Sequence, residues 1–518
     1  MTSFGVNDLN NKKNEDDRIV NISDLIGSWG PFQKRLFIII GLFQCVYPFN
    51  NSSLFYFSIK EDIVCDKGNG TQVIFQPDKC SLNDLDACIN WDFTSTRVTI
   101  SKEWTFVCER YWLRSVTLSA YVVGQSIAGF FVGWISDRLG RKFAIKYCII
   151  LELICECYLI VINNEFLFMA GRVLHGMAGF GRSLCSIILL MESVDPQYRG
   201  KVMFWYDSIW YMSTLVMIGV AYSVPNFRLI YLGTASYQMI CLLLVKFLPE
   251  SPRWQMVSGE TDRAEVTLRQ FSYEMSETRF EEKFKKLKDH LSKFETVEKL
   301  GMISLFRHRR TIKLVLVLCL IWAVRAIDGS GLHYCTLDLP GNVFFNNFIF
   351  HSFAMLAVLL MTLRADSHQR KVLLIAFFSF NSFLFLYFAL FLSGSSHSIV
   401  IKIIFVSIAT FGNAALSNLL YVYTPEVYPT NIRNLGTGVC TVAAEFAACL
   451  GPFINQLSLH FELLLQTSMT SLRTTFIGLS LAALTGAVSV TTLPETKGVE
   501  MPDTVEQMLL CDHCDEEK

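Results

Sequence analysis

The stretch GWISDRLGRK, Gly133 to Lys142, closes a long apolar run by setting three cations and one carboxylate into its last six positions. A worn copy, LRADSHQRK (Leu363 to Lys371), stands where another apolar run stops. Working outward from these two, twelve apolar runs cover 34–59, 112–136, 143–163, 166–191, 202–224, 228–248, 312–334, 342–363, 371–393, 398–424, 433–458 and 472–493. Each is near the ~20 residues that span a bilayer as a helix. An apolar segment in lipid must satisfy its own backbone polar groups, so helices rather than open strands are expected. Composition agrees. The 518 residues are 52% hydrophobic and only 18% charged, with 42 phenylalanines. A soluble domain carries roughly 25% charge. The net charge of −1 gives no reason to expect nucleic acid.

The short loops orient the chain. With the N-terminus inside, the inner loops carry Arg138, Arg141, Lys142, Arg199, Lys201, Arg370, Lys371 and the basic stretch Arg307 to Lys313. The first residues contain NEDDR and no apolar core, which reads as a cytosolic tail over 1–33 and not a signal peptide. The loop 60–111 then lies outside and holds Cys65, Cys80, Cys88 and Cys108. An even count in an oxidising space predicts two disulfides, with three possible connectivities. The sequon Asn69-Gly70-Thr71 in the same loop predicts a glycan, whereas those at Asn50 and Asn51 fall inside the first helix. Residues 249–311 form an inner linker, in which EEKFKKLKDHLSKFE reads as a solvated amphipathic helix. The tail 494–518 contains a lone CDHC, read as unstructured.

The charge clusters repeat in order. Asp137 and Asp366 are 229 residues apart, as are Arg141 and Arg370. ESVDPQYRG places Arg199 seven after Glu192, and EVYPTNIRN places Arg433 seven after Glu426, an offset of 234. PESPR at Pro249 and PETKG at Pro494 form a third pair. Three ordered pairs predict two homologous six-helix halves, 34–248 and 312–493, a design that supports alternating access about a midplane site. At the inner end of the second helix, Asp137 is expected to cap a helix of the other half when that side is shut, with Arg138, Arg141, Gly133 and Gly140 forming the rest of a latch. The plainer reading is that the cations merely enforce topology.

GWISDRLGRK, PESPRW (Pro249 to Trp254) and PETKG together resemble the major facilitator superfamily, and within it the sugar porters and the organic cation, anion and carnitine transporters. The cysteine-bearing outer loop ending in SKEWTFVCERYW, and EVYPTNIRNLG, resemble the latter group, nearest its organic cation branch through NLGTGVC and VAYSVPNFRL. The resemblance runs from Phe32 to Met501. The sugar porters' paired glutamines are absent from the seventh helix, WAVRAIDGSGLHY. It implies an all-α polytopic fold of twelve transmembrane helices, transport of small organic cations across the plasma membrane, and no cofactor.

Charges inside membrane helices cost at least ~2.5–3.5 kcal/mol and need a reason. Glu445 lies mid-helix in GVCTVAAEFAACLGPF, where the resemblance implies an acidic residue in cation carriers and arginine in anion carriers. Asp207 stands among Trp205, Tyr206, Trp210 and Tyr211. Arg325 and Asp328 share a face of the seventh helix, and Arg325 departs from the cation pattern. Two carboxylates beside aromatics suit an organic cation through Coulomb attraction and cation–π contact. The competing readings are Glu445 paired structurally with Arg325, and an anion or carnitine-like zwitterion held by Arg325 and Arg182. A third is a membrane receptor that kept the fold without transporting. Glu152 and Glu156 share a face of the third helix and are satisfied by a proton or by a partner such as Arg172, in GRVLHG. No Walker-type glycine loop with Lys-Ser/Thr, no His-Glu-x-x-His and no nucleophile elbow occurs, so neither ATP drive nor an enzyme is expected.

Overall fold

A computed structural model of the protein describes residues 25, 29–67, 72–78, 80, 88–272, 275–294, 309–364, 369–394, 398–428, 433–454, 457 and 471–496. Every apolar run is helical in it. The first is broken into α1 (Pro31–Cys45) and α2 (Tyr47–Ser52), followed by a 3-10 turn at Ser53–Phe57. After the loop come α4 (Leu113–Leu139), α5 (Arg141–Val161), α6 (Glu165–Glu192), α7 (Pro196–Ser223) and α8 (Phe227–Leu244). The second set is α12 (Arg309–Cys335), α13 (Val343–Arg364), α14 (Arg370–Tyr387), α15 (Ile399–Val427), α16 (Arg433–Ala448) and α17 (Ser471–Thr491). Among the described residues, eight helices are long and apolar enough to cross a membrane. The four runs outside that set are the broken first one, α5 with Glu152 and Glu156, α7 with Asp207, and α12 with Arg325 and Asp328.

The apolar interior falls into groups. One gathers Leu36, Phe43, Ile145, Leu189 and Cys241 from α1, α5, α6 and α8. Another gathers Leu318, Trp322, Leu374, Tyr423 and Val490 from α12, α14, α15 and α17. The α4–α6 crossing is the closest approach. A Cβ on Gly124 would lie 2.0 Å from the Val173 carbonyl oxygen, and one on Gly176 2.0 Å from that of Tyr121. Only hydrogen fits on either side, so the two backbones touch.

The break in the first span has a local cause and a remote remedy. Pro48 lacks an N–H and its ring opposes continuation of α1. The carbonyls this leaves without helical donors cannot be solvated in lipid. The Leu42 oxygen instead accepts from the Tyr237 hydroxyl at 2.9 Å, and the Phe43 oxygen from Arg182. Beyond the break, Arg172 donates to the Asn50 carbonyl at 3.0 Å. Asn50 is fully buried, as the placement of its sequon inside the helix requires.

Between the first and second spans lies a three-stranded antiparallel sheet, β1 (Ile63–Asp66) flanked by β2 (Gln72–Phe75) and β3 (Asn90–Phe93), then a short helix α3 (Ile100–Trp104). Disulfides join Cys65 to Cys88 and Cys80 to Cys108, resolving the three possible connectivities. Asn69 lies outside the described residues. Arg97 anchors this loop to the bundle. It donates to the carbonyls of Ala221, Tyr222 and Val224 at the end of α7, and stacks 5.0 Å from the rings of both Phe57 and Phe344. Burial lowers the Arg97 guanidinium somewhat, and the nearby Glu61 carboxylate opposes that.

The linker folds too. Helices α9 (Pro252–Val257), α10 (Thr261–Phe271) and α11 (Glu277–Phe294) bury Met256, Leu268, Phe280 and Phe284 against one another. The amphipathic reading of 281–295 holds through Phe294, with Phe284 and Leu287 on the buried side. The CDHC tail lies outside the described residues.

The two helix sets meet at the end that carries the disulfide loop. There Ser115 donates to the Pro452 carbonyl and Ser119 to that of Cys449, both at 2.8 Å, and Tyr56 stacks on Phe344 at 5.2 Å. At the other end, nothing lies within 4 Å of a Cβ built on Gly133, and the Asp137 side chain is 73% exposed. Among the described residues, the two sets thus meet at the loop face, and at the opposite end neither Gly133 nor the Asp137 carboxylate contacts the other set.

Candidate substrate cavity and its charged latches

Between the two helix sets, Glu445 of α16, Asp207 of α7 and Arg325 of α12 all lie within electrostatic reach of Tyr421 on α15, and the space they surround is the candidate cavity. Glu445 and Asp207 are enclosed by protein, yet both keep accessible surface, as groups on a cavity wall do. Neither makes an ion pair within 4.0 Å among the described residues. Arg325 from α12 stands within electrostatic reach of Glu445, and its Nη1 donates to the Ser417 hydroxyl at 3.3 Å. Its Nε has no hydrogen-bond partner among the described residues, and its guanidinium carbon lies 5.8 Å from the Trp322 ring. Aromatic rings complete the wall. Trp210 meets Tyr211 edge-on at 4.9 Å and lies 6.4 Å from His351, while Tyr421 is 44% exposed. The site thus holds two acids, one base and a set of π faces.

Two of the expected contact residues stand elsewhere. Tyr206 is buried, and its hydroxyl donates to Gln44 Oε1 at 2.7 Å, so it ties α7 to α1 instead of facing the cavity. Asp328 is 1% exposed, beneath the surface to which Arg325 points, and neither of its oxygens is hydrogen-bonded. Sharing a helical face did not give the two residues the same depth.

The latch residues form two matching assemblies. In the first, Arg141 donates through Nε and Nη2 to the Glu192 carboxylate, both at 3.1 Å, and pairs with Asp137 at 2.9 Å. Glu250, from PESPR, accepts from the backbone N–H of Arg141 at 2.8 Å and of Lys142 at 3.2 Å. In the second, Arg370 faces Glu426 at 3.6 Å, and Glu495, from PETKG, accepts from the N–H of Arg370 at 2.9 Å and of Lys371 at 3.1 Å. The caps of α5 and α14 are therefore Glu250 and Glu495, carboxylates at the positive ends of helix dipoles. The expectation gave this duty to Asp137, capping across the halves. Among the described residues the Asp137 carboxylate pairs with Arg141, and its carbonyl accepts from the Trp254 indole. Gly140, at φ +100°, brings the backbone close enough that a Cβ would strike Glu250. Burial pushes the Glu250 carboxyl upward, and hydrogen bonds from the Ser251, Lys142 and Arg141 N–H groups pull against it. Arg138 sits over the Trp134 ring, and Arg199 donates to the Met191 carbonyl at the end of α6. Asp366 and the Arg433 side chain lie outside the described residues. Sequence reasoning missed Glu250 and Glu495, although the signal was present as one glutamate at the second position of both PESPR and PETKG.

Glu152 and Glu156 are wholly buried. The partner of Glu152 is Arg182, at 2.7 Å from Nε, and not Arg172. Arg172 instead bonds the Asn50 carbonyl and the Tyr231 hydroxyl, over the Tyr121 ring.

The sequence model of the sugar (and other) transporter family matches residues 94–507. The chain belongs to that family. Human organic cation/carnitine transporter 2 is 26% identical over 443 residues, covering 82% of this chain and 75% of its own. Rabbit (Oryctolagus cuniculus) organic anion transporter 3 is also 26% identical over 443 residues, covering 82% of this chain and 77% of its own. The inward open structure of the xylose transporter XylE from E. coli superposes with a TM-score of 0.64 at 15% identity, over 92% of this chain and 99% of that one. This transporter is accordingly a multi-pass membrane protein of the major facilitator fold, not an enzyme. Its relatives include carriers named for cations and for anions.

Proposed function

We propose that this transporter carries small organic cations across the plasma membrane by alternating access, with both termini cytosolic and the disulfide loop outside. The observation that carries the reading is the charge inventory of the cavity. Glu445 and Asp207 line it without a cation within ion-pair distance among the described residues, against the single base Arg325. With both acids ionised the wall is one negative charge in excess, which matches one monocation. Trp210, Tyr211 and Tyr421 add π faces for a quaternary or protonated amine. The two disulfides support an oxidising exterior for their loop. In that orientation the two sets meet at the outer face, which supports an inward-facing state. No ATP is needed, since a membrane potential of ~60 mV concentrates a monocation about tenfold.

A second reading is a carnitine-like zwitterion, favoured by the unpartnered Nε of Arg325 beside Glu445. A simple organic anion is supported less. Arg182, the other base that such a site calls on, is buried and bonded to Glu152 and the Phe43 carbonyl. The test is uptake by cells expressing the chain, with labelled tetraethylammonium, carnitine and glutarate in parallel. Uptake of tetraethylammonium supports the cation reading, and uptake of carnitine alone selects the zwitterion. Uptake of glutarate alone refutes both, and no uptake of any of the three at normal surface levels favours a receptor.

A further inference from the structure

The wall between α5, α6 and the broken first span contains polar groups that the cavity does not use. Glu152 is fully satisfied by Arg182 and by the Asn50 amide at 2.7 Å. Glu156, one turn further along α5, is not. It is 0% exposed, and neither oxygen receives a hydrogen bond within 3.5 Å among the described residues. Asn50 and Thr234 come near it. The Asn50 amide gives one of its two N–H groups to Glu152, the Thr234 hydroxyl donates to the Tyr231 carbonyl at 3.0 Å, and neither makes a hydrogen bond to Glu156 among the described residues. Opposite Glu156 Oε1, at 3.6 Å, is His175 Nε2. His175 is also 0% exposed, and both of its ring nitrogens lack partners.

Two fully buried titratable side chains thus face each other with no donor placed between them. A bare carboxylate at such depth is prohibitively costly, and so is an imidazole with both nitrogens idle. One added proton neutralises the carboxylate and gives one of the two imidazole nitrogens a partner. Placed between Glu156 Oε1 and His175 Nε2, it turns a 3.6 Å gap into a hydrogen bond and cancels one charge. The remaining charged and titratable neighbours among the described residues are Glu152 and Cys155 on α5, Arg172 and Arg182 on α6, Tyr121 on α4, and Tyr231 and Cys241 on α8. Glu152 and Arg182 cancel each other. Arg172 is left as the one counter-charge for an ionised Glu156 among these neighbours, and its Nη1 is bonded to the Asn50 carbonyl and the Tyr231 hydroxyl.

The internal repeat shows that packing alone does not require this arrangement. The offset of 229 that relates Asp137 to Asp366 carries Glu152 to Asn381 and Glu156 to Phe385. Phe385 is buried at 1% exposure, so the corresponding place in the other helix set is filled by an apolar ring. The same wall also touches the part of the first span best suited to move. Arg172 and Arg182 hold the carbonyls on either side of the α1–α2 break, and Gln44 and Tyr47 on that span reach Tyr206 and Gln125. If the proton leaves, Glu156 becomes a charge that competes for Arg172 and loosens its hold on Asn50.

We infer that Glu156 and His175 form a proton-binding site whose occupancy governs how firmly α6 clamps the break in the first span. This goes beyond the choice of solute and does not depend on it. The test uses the full chain, purified and held in lipid nanodiscs, with no solute added. The unfolding midpoint is followed from about pH 5.5 to about pH 8.5, for the wild type and for Glu156→Gln. In the wild type the proton stabilises the folded form, so the midpoint is high at acid pH and falls by several degrees as the proton leaves. Glu156→Gln, a permanently neutral stand-in, is expected to follow a flat profile near the acid limb. In parallel, pH-difference infrared spectra are expected to show a carboxylic acid C=O band that vanishes in this variant. A wild-type-like fall and an unchanged band in Glu156→Gln would overturn the inference. Should that variant not fold, His175→Gln serves, because the infrared band must shift when its partner changes. A band that stays in place refutes the site. Neither readout requires transport, so failure of the cation reading leaves this result intact, and the reverse also holds.

Discussion

Replacing Glu445 with Gln removes one negative charge from the cavity and keeps the shape of the side chain. At an effective dielectric of about 20, a monocation in contact with the carboxylate at about 4 Å gains on the order of 4 kcal/mol. Stripping water from both partners consumes a large part of that. Charge-assisted hydrogen bonds in proteins contribute ~1.5–3 kcal/mol net. Arg325 within reach of Glu445 lowers the figure further, and Asp207 retains part of the attraction. The expected loss is therefore ~1–3 kcal/mol, which is roughly five- to a hundredfold in apparent affinity. The assay is concentration-dependent tetraethylammonium uptake, scaled to surface expression by biotinylation. Glu445→Asp is expected to be mild and Glu445→Arg to abolish cation uptake. The double change Glu445→Gln with Arg325→Gln separates an anchor from a structural pair. If the two residues serve each other, the double variant regains much of what either single variant loses. Unchanged affinity in Glu445→Gln at normal surface levels would refute the anchor role and move the solute toward an anion or zwitterion.

Three further outcomes are expected. Arg97→Ala removes the stack on Phe57 and Phe344 together with the cap on α7, so the loop face should open more often. Mass mapping after treatment with an impermeant thiol reagent should then find Cys449 labelled several-fold faster than in the wild type, and equal rates would contradict the role given to Arg97. Glu250→Gln and Glu495→Gln should each cost about 1 kcal/mol of helix capping. Thermal unfolding of the purified protein measures this, and matching losses in the two variants are the sign that the assemblies are equivalent. Asp137→Asn should slow turnover while surface expression is kept, because the carboxylate is needed only when the inner end shuts. A normal maximal uptake rate in a well-expressed variant would rule that out.

Much of the fold was legible because hydropathy at helical length is a strong signal, and all twelve runs became helices. The repeat was legible for the same reason that it exists: Arg141 and Arg370 sit in equivalent assemblies with Glu192 and Glu426. What could not be read were partners set by three-dimensional depth. Tyr206 and Trp210 share a face in FWYDSIWYM, yet one turn along α7 changes the neighbours, so that Tyr206 meets Gln44 and Trp210 lies near His351. Arg172 and Arg182 both lie on α6 behind Glu152. Both take a carbonyl of the broken first span, Arg172 that of Asn50 and Arg182 that of Phe43, but Arg182 alone of the two also takes the carboxylate. Glu250 and Glu495 were missed because capping was sought across the halves, while the structure does it within each.

The broken first span also bears on how the protein is made. It is the earliest of these helices to leave the ribosome, and it emerges incomplete. The donor for its Phe43 carbonyl lies 139 residues further along the chain, and the donor for Leu42 lies 195 residues away. Until α6 and α8 arrive, the segment carries unsatisfied carbonyls that lipid cannot accommodate. It must wait beside the translocation machinery or in the care of a chaperone. Lesions at Arg182 or Tyr237 are then defects of biogenesis before they are defects of transport, registering as protein held back and degraded rather than as a slow carrier at the cell surface.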